Sequence, residues 1–123
     1  MHRFRGLEVW RRSREAAIQT YRITSSFPPS EKFGLSSQLQ RAAVSIGTNI
    51  AEGSKRGSDR DFAHFLTIAE GSAAEAWYLL DIGTTLGYVS PDDASILSAE
   101  FERLERMICG LRKQLGARRS PTA

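Results

Sequence analysis

The chain has 123 residues, 41% of them hydrophobic, a net charge of +3 and a single cysteine, Cys109. That length suits one ordinary domain with a real core rather than two, and a lone thiol excludes an internal disulfide and fits a reducing, cytoplasmic setting. The charged opening, MHRFRGLEVWRR, has no apolar run long enough for a signal peptide or a membrane span, so a soluble protein without a membrane partner is expected.

Four long periodic segments follow one another, joined by short punctuated links. The first spans about residues 7–26 and stops at Phe27-Pro28-Pro29, because consecutive prolines cannot continue a helix. The second spans about 35–55 and ends in the basic link Gly53-Ser54-Lys55-Arg56-Gly57. The third, about 59–86, opens behind Ser58, whose side chain can cap free amides, with Asp59 and Asp61 at the positive helix end; Gly87 closes it as a C′ glycine. The fourth, about 91–115, opens with Ser90 as N-cap and Pro91 at the first helical position. Nothing alternates like a strand. Helices of this length on short links pack as antiparallel neighbours, so the expected fold is an all-α, antiparallel up-and-down four-helix bundle over residues 1–116, with residues 117–123 as a disordered tail.

Projection at about 100° per residue assigns the faces. In the fourth segment Leu97, Phe101, Leu104, Ile108, Leu111 and Leu115 form a narrow seam for one core, and in the second Leu35, Leu39, Ala42, Ala43, Ile46, Ile50 and Gly53 share an arc. The first segment carries apolar residues on two faces. Leu7, Trp10, Ala17, Ile18 and Tyr21 are read as its core arc, leaving Val9, Ala16 and Ile23 outside. In the third, Phe62, Phe65, Leu66, Ala69, Ala73, Ala76 and Leu80 face the core, while Ile68, Tyr78, Leu79, Ile82 and Leu86 spread beyond it. Apolar surface that one bundle cannot cover marks an interface, so self-association through Val9, Ala16, Ile23, Ile68, Tyr78, Leu79, Ile82 and Leu86 is expected; scattered surface apolars are the alternative.

Arg14 falls within the assigned core arc of the first segment, where it either pairs with Glu52 or Glu75 or snorkels to water. Gln38, Ser45, Asn49 and Glu52 form a polar line on one edge of the second segment, suited to fixing helix register or subunit pairing; a border to solvent and a ligand pocket are the alternatives.

No catalytic constellation is visible. Asp61-x-x-His64 lacks the second pair that a bundle metal site uses, His2 lies in the terminus, and the glycines around Lys55 and Arg56 lack the spacing of a phosphate loop. Cys109 has no neighbouring base in the sequence. A non-enzymatic protein without metal or cofactor is expected. Charge is uneven: residues 1–26 carry six arginines against two acids, and residues 59–89 one arginine against five. Arg3, Arg5, Arg11, Arg12 and Arg22, with Lys55, Arg56 and Arg60 at the second link, are candidate phosphate contacts for RNA or DNA. Glu8 and Glu15 dilute the first group, and a charged helix face is also what solvation alone requires.

The runs FRGLEVW, FPPSEKFGLSSQLQRAAVSIGTNIAEG, FAHFLTIAEGSAAEAWYLL and LGYV resemble the bacterial four-helix-bundle proteins encoded in intervening sequences of large-subunit ribosomal RNA genes. The resemblance covers roughly Phe4 to Leu115 and implies a homopentamer of antiparallel bundles. A related branch, the accessory variability proteins of diversity-generating retroelements, implies nucleic acid and a reverse transcriptase as partners. The motif positions are Ala43, Ser45, Ile46, Asn49, Ile50, Ala51, Glu52 and Gly53, then Ala69, Gly71, Ser72 and Glu75; they imply no catalytic role. Gln40 stands where relatives often carry a second basic residue beside Arg41, and the charge is modest beside the retroelement branch.

Overall fold

The computed structural model describes residue 4 and residues 7–119, with side chains to residue 116. Helix α1 runs Glu8–Thr24, α2 Leu35–Ser54, α3 Asp59–Thr85 and α4 Pro91–Arg119, with a 3-10 turn at Pro29–Glu31 in the first link. Successive helices pack side by side, α1 closes the square against α4, and α1 and α3 stand diagonally apart. This is the up-and-down bundle expected from the periodicity. The expected disorder of the tail falls largely outside the described residues, although the α4 backbone continues to Arg119.

Local chemistry sets the ends. Ser58 Oγ accepts from the Asp61 amide at 3.1 Å and Ser90 Oγ from the Asp93 amide at 3.2 Å, so both serines cap their helices. Gly87 adopts a φ of 80°, which lets its own amide reach the Thr84 carbonyl at 3.0 Å and the Tyr88 amide reach that of Gly83 at 2.9 Å. These two bonds stop α3 and turn the chain into α4. Tyr88 then donates to Glu31 Oε2 at 3.1 Å, while Glu31 Oε1 accepts from the first amide of α2. Desolvation, and then the adjoining Glu31 carboxylate, hold the Tyr88 phenol above its ordinary pKa.

The core is built from Leu39, Ile46, Ile50, Phe62, Leu66, Leu80, Phe101, Leu104, Ile108 and Leu115, each almost fully buried. Small residues let the backbones approach. A Cβ on Gly53 would stand 2.6 Å from Phe65 Cβ, and one on Gly83 would stand 2.9 Å from the Phe27 ring.

Helix α1 overturns the expected facing. Its buried residues are Val9, Ser13, Ala16, Thr20 and Thr24, and Val9 and Ala16 are only 5% and 2% exposed. Of the side assigned to the core, Leu7, Trp10 and Ala17 are half-buried and pack against the edge of the core, Ile18 is half-buried, and Tyr21 and Arg14 are exposed. The cause lies in the hydroxyls. Ser13 Oγ donates to the Trp10 carbonyl at 2.7 Å, Thr20 Oγ1 to Ala16 at 2.7 Å and Thr24 Oγ1 to Thr20 at 2.8 Å. Bonded to their own helix, these side chains present mostly carbon to the core and allow close packing. Arg14 accordingly needs no buried carboxylate; it meets Glu15 at 3.2 Å, both well exposed, while Glu52 and Glu75 lie on the surface elsewhere.

Candidate assembly and nucleic-acid surfaces

The motif residues of α2 and α3 meet along one seam. Ser45 and Ser72 share a hydrogen bond of 2.9 Å, and Asn49 Nδ2 donates to the Ser45 carbonyl at 2.8 Å and to its hydroxyl at 3.0 Å. Of the polar line on α2, Ser45 bonds across to α3 and Asn49 braces it from within α2, while Gln38 and Glu52 are exposed. Gly53 belongs to the same seam because only a hydrogen fits against Phe65 and Phe62.

Gly71 is different. It sits exposed within α3, and a Cβ there would meet nothing within 4 Å. A mid-helix glycine costs about 1 kcal/mol relative to alanine, and packing within this chain gives no reason for it. Around it on the outer face of α3, Ile68 is 41% and Tyr78 59% exposed; Leu86 is exposed further along and Ile82 half-buried. A second apolar strip lies across α1 and α2, where Trp10, Ala17, Ile18, Tyr21, Val44 and Gly47 line a shallow groove of about 490 Å³. Of the residues read as an interface, Ile68, Tyr78 and Leu86 do reach the surface. Val9, Ala16 and Leu79 are buried and the half-buried Ile23 packs on the core, so these four serve the fold of the single chain. The strip on α1 was legible in the sequence as a second apolar face, but with the inside and outside exchanged.

The candidate cations divide by end. Phe4 packs on Trp10 and under Lys55, with the Lys55 ammonium 5.5 Å from its ring centroid. The start of α1 thus adjoins the end of α2, and Arg11, Lys55, Arg56 and Arg60 gather there with the last turns of α4. Arg56 lies over the Phe65 ring at 4.7 Å. Arg12 turns to α4 and pairs with Glu100 at 3.1 Å and Glu8 at 3.6 Å, which offsets its charge. Arg22 lies at the far end, beside Tyr88 and Ser90. Arg3 and Arg5 lie outside the described residues. Sequence reasoning missed Arg112 and Lys113, which α4 brings to the basic end. Their signal was the composition of α4, whose first half holds Asp92, Asp93, Glu100 and Glu102 against Arg103, and whose second holds Arg106, Arg112, Lys113, Arg118 and Arg119 against Glu105.

Among the described residues no group of three or more His, Cys, Asp or Glu side chains is placed to hold a metal ion, and no helix is long and apolar enough to cross a membrane. Cys109 is half-buried and its sulfur accepts from Arg112 Nη2 at 3.6 Å. Fold and surfaces together define a small all-α bundle protein whose distinctive residues lie on helix seams and outer faces.

Comparison with known proteins gives the family. The chain belongs to the 23S rRNA-intervening sequence protein family, whose model matches residues 5–110. It is similar to the crystal structure of a protein of unknown function from the S23 ribosomal protein family of Bacteroides thetaiotaomicron, with a TM-score of 0.77 and 25% identity over 85% of this chain and 98% of that one. No curated protein matches it.

Proposed function

We propose that this chain is a non-enzymatic homo-oligomeric bundle, a pentamer as the family resemblance implies, that binds RNA or DNA through its basic end without reading sequence. The observation that carries this reading is the charge polarity along the bundle axis. Lys55, Arg56 and Arg60 from the α2–α3 link meet the basic half of α4 at one end, while Asp92 and Asp93 open α4 at the other. Phosphate binding needs several cations on one surface, each displacing counterions, and assembly multiplies one modest patch into a larger one.

Two features support assembly. The glycine at position 71 leaves room for a close neighbour, and the apolar strips on α1–α2 and α3 lie on different faces. Two unlike faces that complement each other form a head-to-tail contact, which closes into a ring when the rotation permits. The same strips also favour a second reading, a protein-interaction scaffold whose charges only keep it soluble.

Fluorescence anisotropy with labelled RNA and DNA across a salt series separates the two. Affinity that falls steeply with salt for both nucleic acids, with little preference among sequences, is the expected result. Absence of binding at low salt would overturn the nucleic-acid reading and leave the scaffold.

A further inference from the structure

We propose that the groove between the first turns of α3 and the last turns of α4 is a binding site for a phosphoryl anion, supplied by a nucleic-acid backbone or by free polyphosphate. The nucleic-acid source rests on the function proposed above; the site itself rests on the groove. It has a volume of about 480 Å³ and is lined by Arg60, His64 and Thr67 from α3 and by Arg112 and Lys113 from α4. Positions 60, 64 and 67 recur one helical turn apart and so share a face. Between the two walls lie Ala63 and Gly116, and a Cβ on Gly116 would meet nothing within 4 Å. Small residues there leave room for a tetrahedral anion between the cations.

The electrostatics favour an anion more clearly here than in the groove on the α1 side of the basic end. Among the described residues that line the α3–α4 groove none is acidic, whereas the groove holding Arg11 and Arg12 also contains Glu8, Glu15 and Glu100. Arg112 is held in place by Glu70, at 3.2 Å from both Nε and Nη2, so its charge is partly offset and its position fixed. Arg60 and Lys113 are exposed and have no ion-pair partner among the described residues, so they supply the net attraction. His64 is exposed and adds a ring N–H donor. The Thr67 hydroxyl already donates to the Ala63 carbonyl at 3.1 Å and shapes the wall. The N-terminus of α3 and the C-terminus of α4 meet at this end with opposed macrodipoles, which leaves the side chains to set the local field.

The test uses the full chain and two probes, tripolyphosphate followed by amide NMR and a short single-stranded RNA followed by anisotropy. Tripolyphosphate should shift amides of residues 60–67 and 112–116 in the wild type and leave them unmoved in Arg60→Gln/Lys113→Gln. For RNA the double variant should weaken binding about tenfold and make the slope of log affinity against log salt shallower by about 1.4. Arg22→Gln, at the far end, should change neither, and far-UV circular dichroism should show all three proteins equally helical. RNA binding with an unchanged slope in the double variant, and silent groove amides, would overturn the groove while leaving the nucleic-acid reading intact. Tripolyphosphate shifts in the groove without RNA binding would keep the site and remove the nucleic-acid source. Silence of the groove amides toward tripolyphosphate, together with no RNA binding, would overturn the proposal and the nucleic-acid reading alike.

Discussion

Helices α1 and α4 solve the same packing problem with opposite chemistry. Helix α4 buries a seam of large side chains, Leu97, Phe101, Leu104, Ile108 and Leu115, and keeps most of its polar residues in water. Helix α1 buries Ser13, Ala16, Thr20 and Thr24 beside Val9 and leaves Trp10, Ile18 and Tyr21 partly or largely outside. The contrast shows that hydrophobicity alone does not decide which face of a helix turns inward. A threonine whose hydroxyl is bonded to its own helix is a small packing unit, and burying it frees a large apolar face for another molecule.

The sharpest way to break the comparison is on the α4 side. Phe101→Ala should cost about 3–5 kcal/mol in urea unfolding, because Phe101 is fully enclosed and the surrounding helices cannot collapse into the space. A cost below about 1 kcal/mol would mean that α4 is not the main seam. Next in size is Gly53→Ala, which forces a methyl group against Phe65 and should destabilise by about 1–3 kcal/mol. Gly71→Ala, with nothing to strike within its own chain, should gain up to about 1 kcal/mol of helix propensity in the single bundle, and a lower thermal midpoint instead would place a close neighbour at that face.

Thr20→Val sharpens the α1 side. The Ala16 carbonyl keeps its place in the helix ladder, so the change should stay within about 1 kcal/mol despite complete burial. A larger loss would show that the hydroxyl does more than satisfy itself.

The smallest effect concerns Glu105 beside the α4 seam. Desolvation, and then repulsion from Glu70 and Glu102, raise its pKa above 4.5, with Arg106 acting against them. The charged form is therefore disfavoured in the fold: the penalty is fully present above the folded-state pKa and disappears as pH falls below 4.5. Glu105→Gln should stabilise the protein at neutral pH by no more than about 0.5 kcal/mol after solvent screening, and the two proteins should converge in acid. Equal melting temperatures at pH 7 would remove this strain from the account.

How much of this was legible in the sequence depended on what each residue can do alone. Caps and breakers act locally, so Ser58, Gly87, Ser90 and the Phe27-Pro28-Pro29 stop marked the helix ends within a residue or two. The α4 seam was legible because its large apolars occupy one arc. Helix α1 has two competing arcs, and the choice between them rested on hydroxyl bonding and on the close approach of α2 to Ser13, which only the packed helices display. The basic end was half legible: Lys55, Arg56 and Arg60 adjoin in sequence, whereas Arg112 and Lys113 join them through the antiparallel return of α4.

The exchange of faces on α1 matters because it leaves its larger apolar strip partly exposed, while a glycine-centred face of α3, on another side of the bundle, also lies open. Sedimentation equilibrium at micromolar concentration, on the wild type and on Gly71→Leu, tests that claim directly. The wild type should sediment as a closed multiple of 13.7 kDa, about five under the pentameric reading, and the variant should shift toward one chain with its helicity intact. A wild type that sediments as a 13.7 kDa monomer would contradict the account.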